Sequence, residues 1–104
     1  MRVMMTVSFP TETFNDAVKN GTMQRILQNF VQEYKPEATY FSTNADGERG
    51  SIMVFDVKDS SEMPKIAEPL FQELNARITF KPCMNLDDLR KGLSALEPAA
   101  ASRN

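Results

Sequence analysis

Apolar residues recur along the chain at two rhythms. Alternating or near-continuous apolar runs fall at Arg2–Phe9, Ala38–Thr43, Ser51–Val57 and Ala76–Phe80, the period of strands. Between the first two runs, Phe14 and Val18, then Ile26, Leu27, Phe30, Val31 and Tyr34, are spaced as on a helix face. Ile66, Leu70, Phe71 and Leu74 do the same after the third run. The order predicted is strand, helix, strand, strand, helix, strand and a last short helix.

Punctuation supports these elements. The first helix spans Thr11–Tyr34 with a break near Gly21, where Thr22 offers a second cap, as Thr11 or Thr13 does at its start. Lys35-Pro36 ends it, because a residue before proline avoids the α region. Asp46-Gly47 marks a turn inside Asn44–Gly50, so strands two and three form a hairpin. The second helix starts near Ser60 or Ser61. Pro64 is tolerable in its first turn, whereas Pro69 predicts a kink or a restart after Glu68. Strand four continues to Met84, and Pro82 points to an edge. Asn85 caps a helix over Leu86–Leu96, with Asp88 near the positive end of its dipole.

Strands one and three are apolar on both faces, whereas two and four alternate. Strands covered on both sides are usually central. With right-handed crossovers this predicts an α+β, ferredoxin-like βαββαβ fold: a four-stranded antiparallel sheet of order 4-1-3-2 plus a C-terminal helix. Grouping by hydrophobicity assigns Val3, Met5, Val7, Ile52, Val54, Ile78 and Phe80 to the face under the helices. Met4, Thr6, Met53, Phe55, Tyr40, Arg77 and Thr79 fall to the other. That second face is too apolar for water. The expected cover is a second copy, a homodimer closed through the open sheet face; the rival cover is the C-terminal helix in a monomer.

Composition narrows the classes. The 104 residues make one domain, taken as 1–97 with a tail at 98–104. A net charge of −2 gives no footprint for nucleic acid or anionic lipid. The longest apolar run, Ile52–Phe55, is too short for a membrane span. Met1-Arg2-Val3 enters the first strand with no signal-peptide core, and Cys83 is the lone cysteine, so a cytoplasmic location is expected.

The stretches Lys35-Pro-Glu-Ala-Thr-Tyr-Phe41, Ile66-Ala-Glu-Pro-Leu-Phe71 and Met84-Asn-Leu-Asp-Asp-Leu89, together with the element order, resemble the dimeric α+β barrel superfamily and a small uncharacterised bacterial family within it. The resemblance runs from Arg2 to about Leu96. It implies a sheet-to-sheet dimer. It also implies relatives that degrade haem or oxygenate polyketides, often with His or Trp in the pocket. This chain has neither residue type, so the resemblance brings no such activity with it.

Other chemistry is mostly excluded. An RNA-recognition sheet needs stacking aromatics, but Arg49-Gly50-Ser51-Ile52-Met53-Val54 has none and strand one offers Met4. Acylphosphatases share the topology but need a glycine-rich anion loop after strand one, where Ser8-Phe-Pro-Thr-Glu12 stands. A metal chaperone needs paired cysteines. Without histidine, and with Asp87-Asp88 better explained by helix capping, no metal and no cofactor are expected. The remaining candidates are Tyr40 and Arg77, which can orient a carboxylate or carbonyl if they share a cavity, and the acids Asp56 and Glu68. Each has a plainer structural reading: an interface bond for Tyr40 and Arg77, loop or cap bonding for Asp56, a salt bridge for Glu68. Arg49 is expected to be a solvated turn residue. The functional expectation is a homodimeric small-molecule-binding or interaction module. The rival is a cofactor-free isomerase or monooxygenase-like enzyme acting on a small, partly apolar substrate.

Overall fold

A computed structural model describes residues 1–96; the tail expected at 98–104 lies outside them. The elements are β1 (Arg2–Phe9), α1 (Thr11–Lys19), α2 (Thr22–Tyr34), β2 (Ala38–Thr43), β3 (Arg49–Asp56), α3 (Glu62–Leu74), β4 (Arg77–Pro82) and α4 (Leu86–Ser94). The four strands form one antiparallel sheet in the order β2-β3-β1-β4. This is the ferredoxin-like βαββαβ arrangement, with the two-sided strands β1 and β3 in the middle.

The break in the first helical segment is real. Gly21 sits between α1 and α2 at φ +83°, a left-handed conformation that glycine adopts at little cost. Neither helix has a side-chain cap: Pro10 and Gly21 occupy the cap positions, and the Thr22 amide is held by Asn20 Oδ1 at 3.0 Å. Lys35 leaves the α region before Pro36 by turning left-handed, at φ 45°. In the β2–β3 hairpin the Gly47 amide donates to the Asn44 carbonyl at 2.9 Å, and the Asn44 amide to the Glu48 carbonyl at 2.8 Å. Gly47 takes φ +80°, the left-handed residue a short hairpin turn needs.

Pro69 neither ends nor restarts the second long helix; α3 runs through it as one element. The cost is local: proline has no N–H, so the Lys65 carbonyl lacks its intrahelical donor. Apolar packing under Ile66, Ala67, Leu70 and Leu74, all buried, holds the helix together across that gap. At α4 the expected cap is present: the Asp88 amide donates to Asn85 Oδ1 at 2.8 Å and the Asn85 amide to Asp88 Oδ2 at 3.1 Å.

Helices α1, α2 and α3 lie against one another over one sheet face. The core between the layers holds Val3, Met5, Val7 and Phe9 of β1 with Met53 and Phe55 of β3. Phe55 is the hub of an aromatic cluster, with the Phe30 ring at 5.0 Å edge-on and the Tyr34 ring at 5.6 Å. Full burial of a side chain of this kind is worth roughly 1.5–3 kcal/mol.

The register corrects the expected facing of β3. Met5 is opposite Met53 and Val3 opposite Phe55, and Met53 and Phe55 are 5% and 1% exposed. Both therefore face the helices, while Ile52, 43% exposed, and Val54 face outward beside Met4 and Thr6. Hydrophobicity alone does not determine parity in a strand that is apolar on both sides; one residue of slip exchanges the faces. Ile78 and Phe80 pack against the core as expected. Arg49 is not a free turn residue. Its guanidinium lies 4.6 Å from the centre of the Phe14 ring and donates to Asn15 Oδ1 at 2.7 Å, tying β3 to α1.

Candidate functional site

The four residues singled out in the sequence occupy three separate places. Tyr40 and Arg77 share the open sheet face: Tyr40 pairs with Ile52, Ile52 with Thr6, Thr6 with Thr79, and Arg77 lies two residues along β4. They sit on opposite edge strands. Three strand spacings and a two-residue offset put their Cα atoms roughly 16 Å apart. A small concavity beside Tyr40 is lined by Thr6, Ser42, Asn44, Gly50 and Ile52, without Arg77. Asp56 lies at the far end of the face, opposite Arg2 in the register, and pairs with the N-terminal ammonium at 2.9 Å. Glu68 is on α3, in the layer across the sheet, where Gln72 Nε2 donates to it at 2.7 Å. The fold brings Tyr40 and Arg77 to one surface, puts Asp56 at the far end of that surface and Glu68 on the other side of the sheet, and so keeps the two acids apart from each other.

The open face has a distinct layout. Its centre is apolar, built from Met4, Ile52 and Val54 on the middle strands. Its edges carry Tyr40 and Ser42 on β2 and Arg77, Thr79 and Lys81 on β4. No helix covers it. α4 buries no residue, and Leu86, Leu89 and Leu93 are 59%, 42% and 54% exposed. These three recur at i, i+3 and i+7, one unpartnered stripe of the helix.

Among the concavities on the helical side, two adjoin α2. An open groove of about 540 Å³ runs along the β2 edge between Leu27 and Val31 of α2 and Phe41. A narrower cleft of about 180 Å³ opens between α2 and α3. Its walls are Ile26, Phe30, Ile66, Pro69 and Leu70, with Tyr34 among them. Its rims are two ion pairs, Arg25–Glu73 at 2.6 Å and Lys65–Glu33. Among the described residues, the buried Tyr34 hydroxyl has no hydrogen-bond partner. Burial and the Glu33 carboxylate push its phenol above the ordinary value, with Lys65 pulling the other way.

No protein-family model matches the sequence, and no curated protein matches it. Several solved structures are similar to it. A formyltetrahydrofolate deformylase from Pseudomonas putida KT2440 aligns over 79% of this chain at 8% identity and a TM-score of 0.48. This chain spans only 28% of that one. A candidate antibiotic biosynthesis monooxygenase from Deinococcus radiodurans aligns over 82% of this chain and 94% of its own, at 16% identity and a TM-score of 0.44. A candidate monooxygenase from Shewanella loihica PV-4 aligns over 81% and 95%, at 12% identity and 0.45. Likeness of this size concerns the path of the chain and transfers no activity.

Among the described residues, no group of three or more His, Cys, Asp or Glu side chains is placed to hold a metal ion, and no helix is long and apolar enough to cross a membrane. Asp88 of the acidic pair is used in the α4 cap. The α2–α3 cleft is not evident from the hydrophobic pattern of the sequence. Its two signals were present: a proline in mid-helix at position 69, and a tyrosine continuing the apolar stripe of α2 at position 34.

Proposed function

We propose that this chain is an interaction module that works as a homodimer, joined sheet to sheet through the open face. The observation that carries this reading is the uncovered apolar centre Met4–Ile52–Val54 together with the exposed leucine stripe of α4, a helix that buries no residue. An apolar centre ringed by Tyr40, Ser42, Arg77 and Lys81 has the anatomy of a protein interface, with a polar rim. Tyr40 and Arg77 then act at the rim, where their polar ends bond across the interface or to a small ligand held there.

Size decides what the interface must contain. Four strands of about six residues present a face of roughly 19 by 20 Å. Two such faces bury on the order of 800 Å², below the roughly 1,200 Å² of the smallest stable interfaces. The leucine stripes of the two α4 helices supply the missing area. The dimer therefore uses both surfaces, and losing either one weakens it.

Sedimentation equilibrium over a dilution series tests this reading. The expected result is a dimer at micromolar concentration that Ile52→Lys and Leu89→Lys each convert to monomer with unchanged far-UV circular dichroism. A wild-type protein that is monomeric throughout the series overturns it.

A further inference from the structure

We propose that the cleft between α2 and α3 is a binding site for a small, uncharged, largely apolar molecule of single-ring size bearing one hydroxyl, anchored by the Tyr34 hydroxyl. This goes beyond the dimer reading and does not depend on it, because the cleft opens on the helical layer, away from the open sheet face.

Three observations define the ligand. The walls Ile26, Phe30, Ile66 and Leu70 are apolar, and the volume of about 180 Å³ compares with the roughly 150 Å³ of an apolar cavity that takes up benzene. Apart from the Asn29 amide and the charged rims, the polar capacity is small and unspent. The Tyr34 hydroxyl is buried with no partner, a state that costs a folded protein unless something fills it. Pro69, on the same wall, leaves the Lys65 carbonyl without its helix donor. A hydroxyl is the group that suits both, since it donates and accepts. The charges cancel: Arg25 and Lys65 are each paired with a glutamate, Glu73 and Glu33. A charged ligand would have to break one of these pairs, and an uncharged one does not.

The full chain, labelled with ¹⁵N, is titrated with p-cresol, toluene and 4-hydroxybenzoate and followed by amide chemical shifts. p-Cresol is expected to give saturable shifts confined to α2 and α3. Tyr34→Phe keeps the ring and removes only the hydroxyl. It is expected to weaken p-cresol by about 2- to 10-fold, the range for one neutral hydrogen bond, and to leave toluene unchanged. 4-Hydroxybenzoate is expected to bind more weakly than p-cresol. The proposal is overturned by the absence of saturable shifts in α2 and α3. It is equally overturned if Tyr34→Phe affects p-cresol and toluene alike, if 4-hydroxybenzoate binds as well as p-cresol, or if a crystal soaked in p-cresol shows a water on Tyr34 that is not displaced.

Discussion

Arg2, the first residue of β1, forms an ion pair with Asp88 in the first turn of α4, joining positions 86 apart in the chain. The same guanidinium reaches Glu37, just before β2. One side chain therefore ties the start of the sheet to the entrance of the last helix. Asp88 has a second task, since it also closes the capping box with Asn85. α4 buries nothing of its own, so these bonds at its first turn set its direction.

Arg2→Ala is expected to raise amide exchange through α4 while leaving the centre of β1 and β3 protected. Asn85→Ala keeps the ion pair and removes the cap, and should cost about 1 kcal/mol of local helix stability. Asp88→Ala removes both and should give the larger loosening. Hydrogen exchange read residue by residue separates the three; unchanged α4 exchange in Arg2→Ala would mean that the tether does not hold the helix.

Neighbouring residues of β3 should behave in opposite ways. Met53 is 5% exposed and faces the helices, so Met53→Ala is expected to cost about 2–5 kcal/mol of folding stability. Ile52 faces outward, and Ile52→Ala should cost the isolated fold only about 1 kcal/mol, the strand-propensity share, while weakening dimer formation by about tenfold or more. Because association feeds into apparent stability, urea titrations need several protein concentrations. Equal loss of stability from both substitutions at low concentration would contradict the register.

The topology was legible in the sequence because it follows from order and centrality. Strands that are apolar on both sides belong in the middle of a sheet, and Asp46-Gly47 specifies the hairpin between β2 and β3. The facing of β3 was not legible, for the same reason that its central position was: Ile52, Met53, Val54 and Phe55 offer no alternation from which to read parity. Tyr40 and Arg77 were placed on one face correctly, since β2 and β4 do alternate. Their separation across the sheet depends on strand order and register combined. The α2–α3 cleft depends on how two helices pack, which neither helix's own pattern encodes.

Gly21, between two helices, and Gly92, inside one, should respond with opposite signs. Gly21 holds φ +83° with open space where a Cβ would be, so Gly21→Ala carries backbone strain alone, about 1–2 kcal/mol. Gly92 lies inside α4, also with open space around it. There alanine is expected to stabilise the helix by about 0.5–1 kcal/mol. Thermal melts should fall for the first substitution, by about 4–8 °C per kcal/mol in a domain of this size. The second should show as increased helicity and slower exchange in α4. A Gly21→Ala protein that melts higher would require a continuous helix through that position.

Tyr34 should leave its mark at alkaline pH. Its phenol ordinarily titrates near 10.0 and is pushed above that by burial first and by the Glu33 carboxylate second. Below about pH 10 the folded and unfolded chains both keep the proton, and the contribution is fully present. Above it the unfolded chain releases the proton while the folded one retains it. Stability must therefore fall as pH rises toward the folded-state value. Lys65, raised chiefly by its hydrogen bond to Glu33, loses stability in the same direction, so the wild-type profile alone does not isolate Tyr34. The difference from Tyr34→Phe isolates Tyr34 together with its Coulomb coupling to Lys65, because the larger cause of the Lys65 shift, Glu33, is common to both proteins. At neutral pH the phenylalanine variant is expected to be equal in stability or up to about 1 kcal/mol more stable, since it removes a buried hydroxyl that has no partner. From about pH 10 upward its advantage should widen. Urea midpoints measured for both proteins across that range give the answer, and two profiles that stay parallel would show that Tyr34 does not keep its proton in the folded state.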